Sequence, residues 1–374
     1  MSIKEELQAA ERIVIKVGSS TLTHPTSKLN LGQIEVLVRQ LADLRNQGKE
    51  LIVVTSGAIS AGRGKIGLDD PPRTIPEKQA LASVGQGLLM QIYEKIFSEY
   101  GQIPSQILLT RSDITERKRY LNARNTILKL LDYDIIPIIN ENDTIAVDEI
   151  KFGDNDTLSA LVANLAEADL LVILSDVEGI YTGDPRTDET AELIPEVNEI
   201  DSELEGLAQG AGTDRGTGGM ITKIEAAKIS TKAGIPMIIA KGSQGDVLRK
   251  IVQGENPGTV FTPVEQNLAA RKKWIAFNLS VQGELMIDEG AADALLNHGK
   301  SLLACGVVEI EGEFQTGDVV DVVTEDKEKI AKGIVNYSIS EVEAIKGLQS
   351  TEIEDKLGYK DYDEVIHRDN LVCM

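Results

Sequence analysis

Between Ile135 and Leu161 an apolar run stops abruptly at a cluster of carboxylates and amides, and this stop constrains the fold more than any other stretch. Ile135, Ile136, Ile138 and Ile139 read as a buried strand. Asn140, Glu141, Asn142 and Asp143 crowd the turn after it. Asp154, Asn155 and Asp156 then open an apolar helical run, where Asn or Asp suits the cap. In an open α/β sheet, ligands bind beyond the carboxyl ends of the strands. A polar turn and a polar helix start can therefore converge on one ligand; a solvated loop with an ordinary cap is the plainer alternative.

Other segments repeat the pattern. The strand Arg12 to Val17 ends in Lys16, Gly18, Ser19 and Ser20, an ammonium and backbone N–H groups of the kind a phosphate oxygen needs. After a helix carrying Ile34, Leu37, Val38, Leu41 and Leu44, the strand Leu51 to Val54 runs into Thr55, Ser56, Gly57 and Ala58. Gly57 and Gly62 have Walker A spacing, but Arg63 and Gly64 stand where Lys and Ser or Thr are required, so a P-loop is rejected. Gly62, Gly64 and Gly67 also satisfy G-x-G-x-x-G, but Asp69, Asp70, Pro71 and Pro72 follow where a dinucleotide site needs a continuing helix.

A long helix is predicted over Glu77 to Tyr100, with Ala80, Ala82, Gly85 and Gly87 allowing close backbone approach. Gln106 to Thr110 is a strand, and Glu116 to Asp132 a helix whose Arg117, Lys118, Arg119 and Arg124 read as a solvated face rather than a phosphate site. Leu170 to Leu174 forms a strand ending in Ser175 and Asp176. Glycines 210, 212, 216, 218 and 219 lead into a helix with Lys223 in its first turns. Such a loop is an anion site, or else merely flexible; the lysine favours phosphate. Pro236 to Ala240 and Thr259 to Thr262 complete the sheet, and Pro263 to Ala270 reads as a linker.

Composition supports this layout. At 374 residues, 42% hydrophobic and 26% charged, the chain fits two or three soluble domains at ~150 residues each. Only 4% is aromatic, so Ile, Leu, Val and Ala must pack the core, as they do in a mostly parallel sheet covered by helices on both faces. From Arg271 the character changes to short strands, Val307 to Ile310, Val319 to Val323 and Ile334 to Tyr337. This predicts one α/β domain over 1–263 and a small β-rich domain over 271–374.

A net charge of −22 repels nucleic acid and anionic membranes. Residues 264–374 alone hold 11 Lys and Arg against 22 Asp and Glu. Cys305 and Cys373 form no metal-spaced pair and His24, His298 and His367 are scattered, so no structural zinc is expected. The first residues lack the apolar core of a signal peptide, and no apolar run is long enough to span a bilayer. A reduced, cytoplasmic protein is expected.

Taken in order, the motifs Lys16-x-Gly18-Ser19-Ser20, Thr55-Ser56-Gly57-Ala58, Ile139-Asn140-Glu141-Asn142-Asp143, Gly153-Asp154-Asn155-Asp156, Asp184-Pro185-Arg186 and Gly216-Thr217-Gly218-Gly219-Met220-x-Thr222-Lys223 resemble the amino acid kinase family. The two central motifs and the C-terminal domain are similar to its glutamate-phosphorylating branch, which carries a PUA-like barrel. The departure is Ser175 before Asp176, where threonine is common; both carry a hydroxyl.

The resemblance implies ATP-dependent phosphorylation of the side-chain carboxylate of L-glutamate to L-glutamyl 5-phosphate, the first step of proline synthesis. It implies Lys16, Lys223 and Asp156 as catalytic residues, with Asp156 holding the two lysines. Ser56, Asp143 and Asn155 match glutamate-binding positions, and Asn140 supports them. Lys16, Gly18, Ser175, Asp176 and the run Thr217, Gly218, Gly219, Met220, Ile221, Thr222 and Lys223 match ATP-binding positions. Mg²⁺ would bridge phosphate oxygens, with no side-chain metal site. Feedback inhibition by proline, a homo-oligomer, and glutamate-5-semialdehyde dehydrogenase as receiver of the labile product are further implications. Acetylglutamate kinase and aspartate kinase share the lysine pair but are less similar in the central motifs. An RNA-binding role for the PUA-like domain is the reading from a different class, and its acidity opposes it.

Overall fold

The computed structural model describes residues 2–146, 155–185, 187–188, 190–210, 219–263 and 281–373. The chain falls into two compact units, Met1–Glu265 and Gln266–Met374.

In the first unit, short apolar strands alternate with helices. The strands are β1 Arg12–Val17, β2 Glu50–Val54, β3 Pro104–Leu109, β4 Ile136–Glu141, β5 Leu170–Ser175, β6 Ile180–Tyr181, β7 Leu193–Ile194, β8 Glu196–Val197, β9 Met237–Lys241 and β10 Thr259–Phe261. The helices are α1 Ile3–Ala9, α2 Ser19–Leu22, α3 Leu31–Asn46, α4 Ala58–Ile66, α5 Ile75–Glu99, α6 Arg111–Thr115, α7 Arg117–Asp132, α8 Asn155–Leu165, α9 Ser202–Gly210, α10 Met220–Lys232 and α11 Val247–Val252.

One eight-stranded sheet has the order β3-β4-β2-β1-β5-β9-β10-β8. From β3 to β9 every pairing is parallel, whereas β10 is antiparallel to β9 and parallel to β8. The carboxyl ends of β4, β2, β1, β5 and β9 thus share one edge of the sheet.

Successive side chains of a strand face opposite ways, and both faces of this sheet are covered. Ile13, Ile15 and Val17 of β1 pack with Ile34, Leu37 and Leu41 of α3 and with Tyr93 and Phe97 of α5. Val14 turns to the other layer, with Leu158 and Val162 of α8, Ile127 of α7 and Ile224 of α10. Each such fully buried side chain contributes roughly 1.5–3 kcal/mol. Lys16, two residues after Val14, follows it toward the α8 layer.

Two glycine positions fix how α4 meets the sheet and α5. Gly57 precedes α4 at φ 88°, a left-handed conformation that favours glycine. Further on, a Cβ on Gly62 would lie 2.0 Å from the Leu81 carbonyl oxygen, and one on Gly85 would lie 1.7 Å from that of Ala58. The close approach expected of the small residues in α5 is made by Ala82 and Gly85; Ala80 and Gly87 are exposed. Arg124 corrects another expectation. It lies three residues from both Leu121 and Ile127, in line with the buried stripe of α7, and is buried with Nη2 2.7 Å from Glu167 Oε1.

The second unit is a five-stranded sheet of β11 Val281–Ile287, β12 Val307–Gly312, β13 Val319–Thr324, β14 Lys329–Ile334 and β15 Leu371–Cys373, in the order β12-β11-β13-β14-β15. The pair β11–β13 is parallel and the other pairs are antiparallel. Its core gathers Leu285, Phe314, Val320, Val322, Tyr337 and Val342 among others. Ile334 to Tyr337, expected as a strand, is instead the end of β14 and a buried segment after it. The strand itself, Lys-Ile-Ala-Lys-Gly-Ile, is rich in weak strand formers. β11 also escaped the sequence reading, because Gln282, Gly283 and Glu284 break its apolar pattern. The pairing slips between Val281 and Gly283, and a Cβ on Gly283 would meet Phe314 at 2.5 Å.

Candidate active site

Lys16, at the end of β1, pairs laterally with Val54 of β2 and Ile173 of β5. Its ammonium Nζ lies 2.5 Å from Asp156 Oδ1. Asp156 belongs to the first turn of α8 and is 0% exposed. Its second oxygen, Oδ2, lies 3.0 Å from Lys223 Nζ, in the first turn of α10. The Thr222 hydroxyl stands 3.0 Å from the same Oδ2 and 2.8 Å from the Gly219 carbonyl. Small residues of both helices, Ala160 and Ala163 of α8 and Ala226 and Ala227 of α10, are fully buried in one layer.

The neighbouring residue, Asn155, faces a different group. Its Nδ2 donates to the Thr55 carbonyl at 2.7 Å, to Ser56 Oγ at 3.0 Å and to Asn140 Oδ1 at 2.8 Å. Asn140 Oδ1 also accepts from the Glu141 backbone N–H at 3.0 Å, and Asn140 Nδ2 donates to Gln86 Oε1 at 2.9 Å. Three strand ends or helix starts thereby meet: the turn after β2, the end of β4 and the start of α8. Asp143 is half-buried in the turn after β4.

On the other side of Lys223 opens a cavity of about 500 Å³, lined by Ser175, Asp176, Tyr181, Met220, Lys223 and Lys241 among others. Ser175 Oγ donates to Asp176 Oδ1 at 3.1 Å. A buried lysine pair beside a cavity can neutralise charge on a transferring phosphoryl group, and the separate amide cluster offers polar groups to a small acceptor.

The profile of the amino acid kinase family matches residues 11–241, a span that holds every residue just described. The chain belongs to the amino acid kinase family. A PUA domain matches residues 283–357 of this kinase. Glutamate 5-kinase of Thermoanaerobacter sp. (strain X514) is 57% identical to it over 363 residues, 97% of this chain and 98% of that protein. Glutamate 5-kinase of Carboxydothermus hydrogenoformans is 55% identical over 373 residues, 100% of each. Glutamate 5-kinase of Moorella thermoacetica is 52% identical over 368 residues, 98% of this chain and 97% of that protein.

Burial by itself pushes the Asp156 carboxyl of the kinase upward, but the Lys16 and Lys223 ammoniums outweigh it and hold the group well below the usual carboxylate range. Asp156 is therefore ionised across the neutral range. Removing one partner from such a buried cluster costs about 3–5 kcal/mol, since it leaves uncompensated charge.

Several expected site residues take a different part from the one their position suggested. Gly18 gives its N–H to the Leu174 carbonyl at 3.2 Å, extending the ladder between β1 and β5 rather than offering a phosphate donor. A Cβ there would come 3.9 Å from Lys16 Nζ, an ordinary contact, so the residue stands beside the ammonium. Ile221 is 50% exposed, because the turn of α10 directs Met220 and Lys223 into the cavity and Ile221 away from it. Asn155 Nδ2 is committed to Thr55, Ser56 and Asn140, which leaves its Oδ1, an acceptor, as the atom it can offer a ligand. Thr217 and Gly218 lie outside the described residues, as do Gly153, Asp154, Arg186 and Gly216 of the motifs.

The sequence reading missed Gln86 and Lys241. Lys241 ends β9 directly beside Ser175, so the strand-end rule that singled out Lys16 and Ser175 would have found it. Gln86 had no such signal, being one polar residue on a long helix.

Proposed function

We propose that this kinase transfers the terminal phosphoryl group of ATP to the side-chain carboxylate of free L-glutamate, giving L-glutamyl 5-phosphate, the entry to proline synthesis. The observation that carries the reading is the split at the start of α8, where Asn155 joins the amide cluster and Asp156 joins the lysine pair. Nearly full-length identity of 52–57% to glutamate 5-kinases supports glutamate as the acceptor.

The acceptor is a carboxylate, already ionised at neutral pH. One of its oxygens attacks the γ-phosphorus in line, the bond to the β,γ-bridging oxygen breaks, and ADP leaves with that electron pair. No proton moves, so no general base is needed. What the step requires is alignment and neutralisation of charge on the transferring group. Lys16 and Lys223 supply the neutralisation. An ammonium has three N–H donors, so pairing with Asp156 and binding a phosphoryl oxygen are compatible.

In the amino-acid site, Asp143 and Asn155 Oδ1 take the substrate ammonium. Ser56 Oγ accepts from Asn155, which turns its own O–H toward a substrate carboxylate oxygen. Asn140 holds this shell. Ser175, Asp176, Gly219 and Met220 border ATP, together with Thr222, and the family resemblance adds Thr217 and Gly218 to the nucleotide-binding set. Among the described residues no group of three or more His, Cys, Asp or Glu could hold a metal ion. Mg²⁺ is proposed to enter as part of the MgATP substrate.

Proline, carrying a ring nitrogen and a carboxylate that mimic part of glutamate, is proposed as an inhibitor that raises the apparent KM for glutamate. A homo-oligomer, transfer of the labile product to glutamate-5-semialdehyde dehydrogenase, and a cytoplasmic location belong to the same reading; no helix among the described residues is long and apolar enough to cross a membrane. The acidic second unit is assigned an assembly or regulatory role, and filter binding to RNA at low salt tests the alternative.

The decisive assay couples ADP release to a panel of glutamate, N-acetylglutamate and aspartate with ATP. Turnover of glutamate alone supports the reading. Preference for either other acceptor overturns it.

A further inference from the structure

The amide cluster has a polarity, and the backbone sets it at both ends. The Glu141 N–H can only donate, so the Asn140 atom facing it must be Oδ1. Asn140 Nδ2 then faces away, toward Gln86, which meets it with Oε1 at 2.9 Å. At the other end the Thr55 carbonyl can only accept, so Asn155 turns Nδ2 inward. Asn155 Oδ1 is what the cluster presents outward, and it has no hydrogen-bond partner among the described residues.

Gln86 reaches this cluster because α4 and α5 touch backbone to backbone at Gly62 and Gly85, the latter its immediate neighbour. The side chain is 8% exposed, and its Nε2 has no hydrogen-bond partner among the described residues. What it contributes to the cluster is one acceptor oxygen. Without that oxygen, Asn140 Nδ2 would be a buried donor with no acceptor, and Asn140 would turn to find one at the expense of its bond to Asn155.

We infer that Gln86 is a positioning residue for the amino-acid substrate: acting through Asn140, it locks Asn155 in the orientation that offers Oδ1 to the substrate ammonium. This rests on the reading of the protein as a glutamate kinase. It makes acceptor recognition depend on a helix that contributes nothing to the lysine pair or the nucleotide cavity.

The test compares Gln86→Met, which keeps the bulk and removes the acceptor, with Gln86→Glu, which keeps an acceptor oxygen at the same place and replaces the unpartnered amide NH2 by a second carboxyl oxygen. Steady-state KM for glutamate and for ATP, kcat, and Tm are measured for both and for wild type. Gln86→Met is expected to raise the glutamate KM about tenfold or more, the scale of one displaced hydrogen bond. The ATP KM should stay within about twofold and Tm within about 3 °C. Gln86→Glu should bring the glutamate KM back to within about threefold of wild type. An unchanged glutamate KM in Gln86→Met overturns the inference, as does an equal rise in both KM values with a fall in Tm, or a Gln86→Glu enzyme as impaired as Gln86→Met. Wild type that fails to phosphorylate glutamate overturns the parent reading and this inference together, whereas active wild type with an indifferent Gln86→Met removes this inference alone.

Discussion

Asn155 and Asp156 are adjacent in the chain, yet Asn155 Nδ2 lies 2.7 Å from the Thr55 carbonyl while Asp156 Oδ1 lies 2.5 Å from Lys16 Nζ. About 100° of helix rotation separates consecutive residues, enough to send the two side chains into different networks. One turn of α8 thus links the amide cluster to the buried lysine pair. A shift of α8 would disturb both at once.

Acceptor choice follows from the Asn155 side of that link. Free L-glutamate carries an ammonium that Asp143 and Asn155 Oδ1 can accept from, and acetylation converts it to a neutral amide with a single N–H. N-acetylglutamate should be turned over at least about 10²-fold less efficiently in kcat/KM, because it lacks the ammonium that Asp143 and Asn155 Oδ1 would take and the acetyl group must be accommodated. Comparable kcat/KM for both acceptors would contradict the assignment of these two residues.

The pH dependence should be flat. Asp156 has a lowered folded-state pKa, so its stabilising effect is present above the ordinary carboxylate value and is lost only as pH falls through the folded value, well below neutrality. None of the three histidines lines the cavity beside Lys223. With an ionised acceptor and no base, kcat at saturating substrates should vary less than about threefold between about pH 6 and 9. A bell with a limb near pH 7 would reveal a general base that the account lacks.

Two glycines of α5, two residues apart, give a stability test. Gly85→Ala places a methyl 1.7 Å from the Ala58 carbonyl oxygen, and backbone on both sides must move. A loss of about 3 kcal/mol or more is expected in urea unfolding, at the upper end for overpacking. Gly87 has nothing within 4 Å of its would-be Cβ, so Gly87→Ala should stabilise α5 by roughly 0.5–1 kcal/mol. Equal effects would mean that α4 and α5 do not meet through Gly85.

These glycines also show where the sequence was legible. The strand ends were, because an apolar run halted by Lys16, Asn140 or Ser175 marks both the strand and the ligand-facing edge without knowledge of the neighbours. Which of Ala80, Ala82, Gly85 and Gly87 faces α4 depends on helix phase, and the weak amphipathicity of a helix with small residues all round hides it. Arg124 was misplaced for a related reason: a charge in a buried stripe reads as solvated until Glu167 is brought beside it by the fold. Hydrogen-bond direction was out of reach altogether. Gly18 lies beside Lys16 and Asn155 in the amide cluster, but which of their atoms remain for a ligand is decided by Leu174 and Thr55, remote in sequence.

The second unit should be dispensable for phosphoryl transfer. The hydrophobic cores of the first unit are drawn from residues up to Phe261, and that of the second from Leu285 onward. A chain ended at Pro263 should fold and keep kcat within about threefold of the full chain. A folded but inactive truncated chain would assign the second unit a part in the chemistry.

The central claim is that Asp156 organises two like charges and takes no proton, and kcat of Asp156→Asn measured with saturating ATP and glutamate tests it most directly. Asparagine keeps the shape and removes the charge that holds Lys16 and Lys223 together. The account predicts a fall in kcat on the order of 10²-fold or more with much smaller changes in both KM values, the pattern of an electrostatic element realised in the transition state. Near-normal kcat in Asp156→Asn would show that the lysines are held by something else and that Asp156 serves only to begin α8.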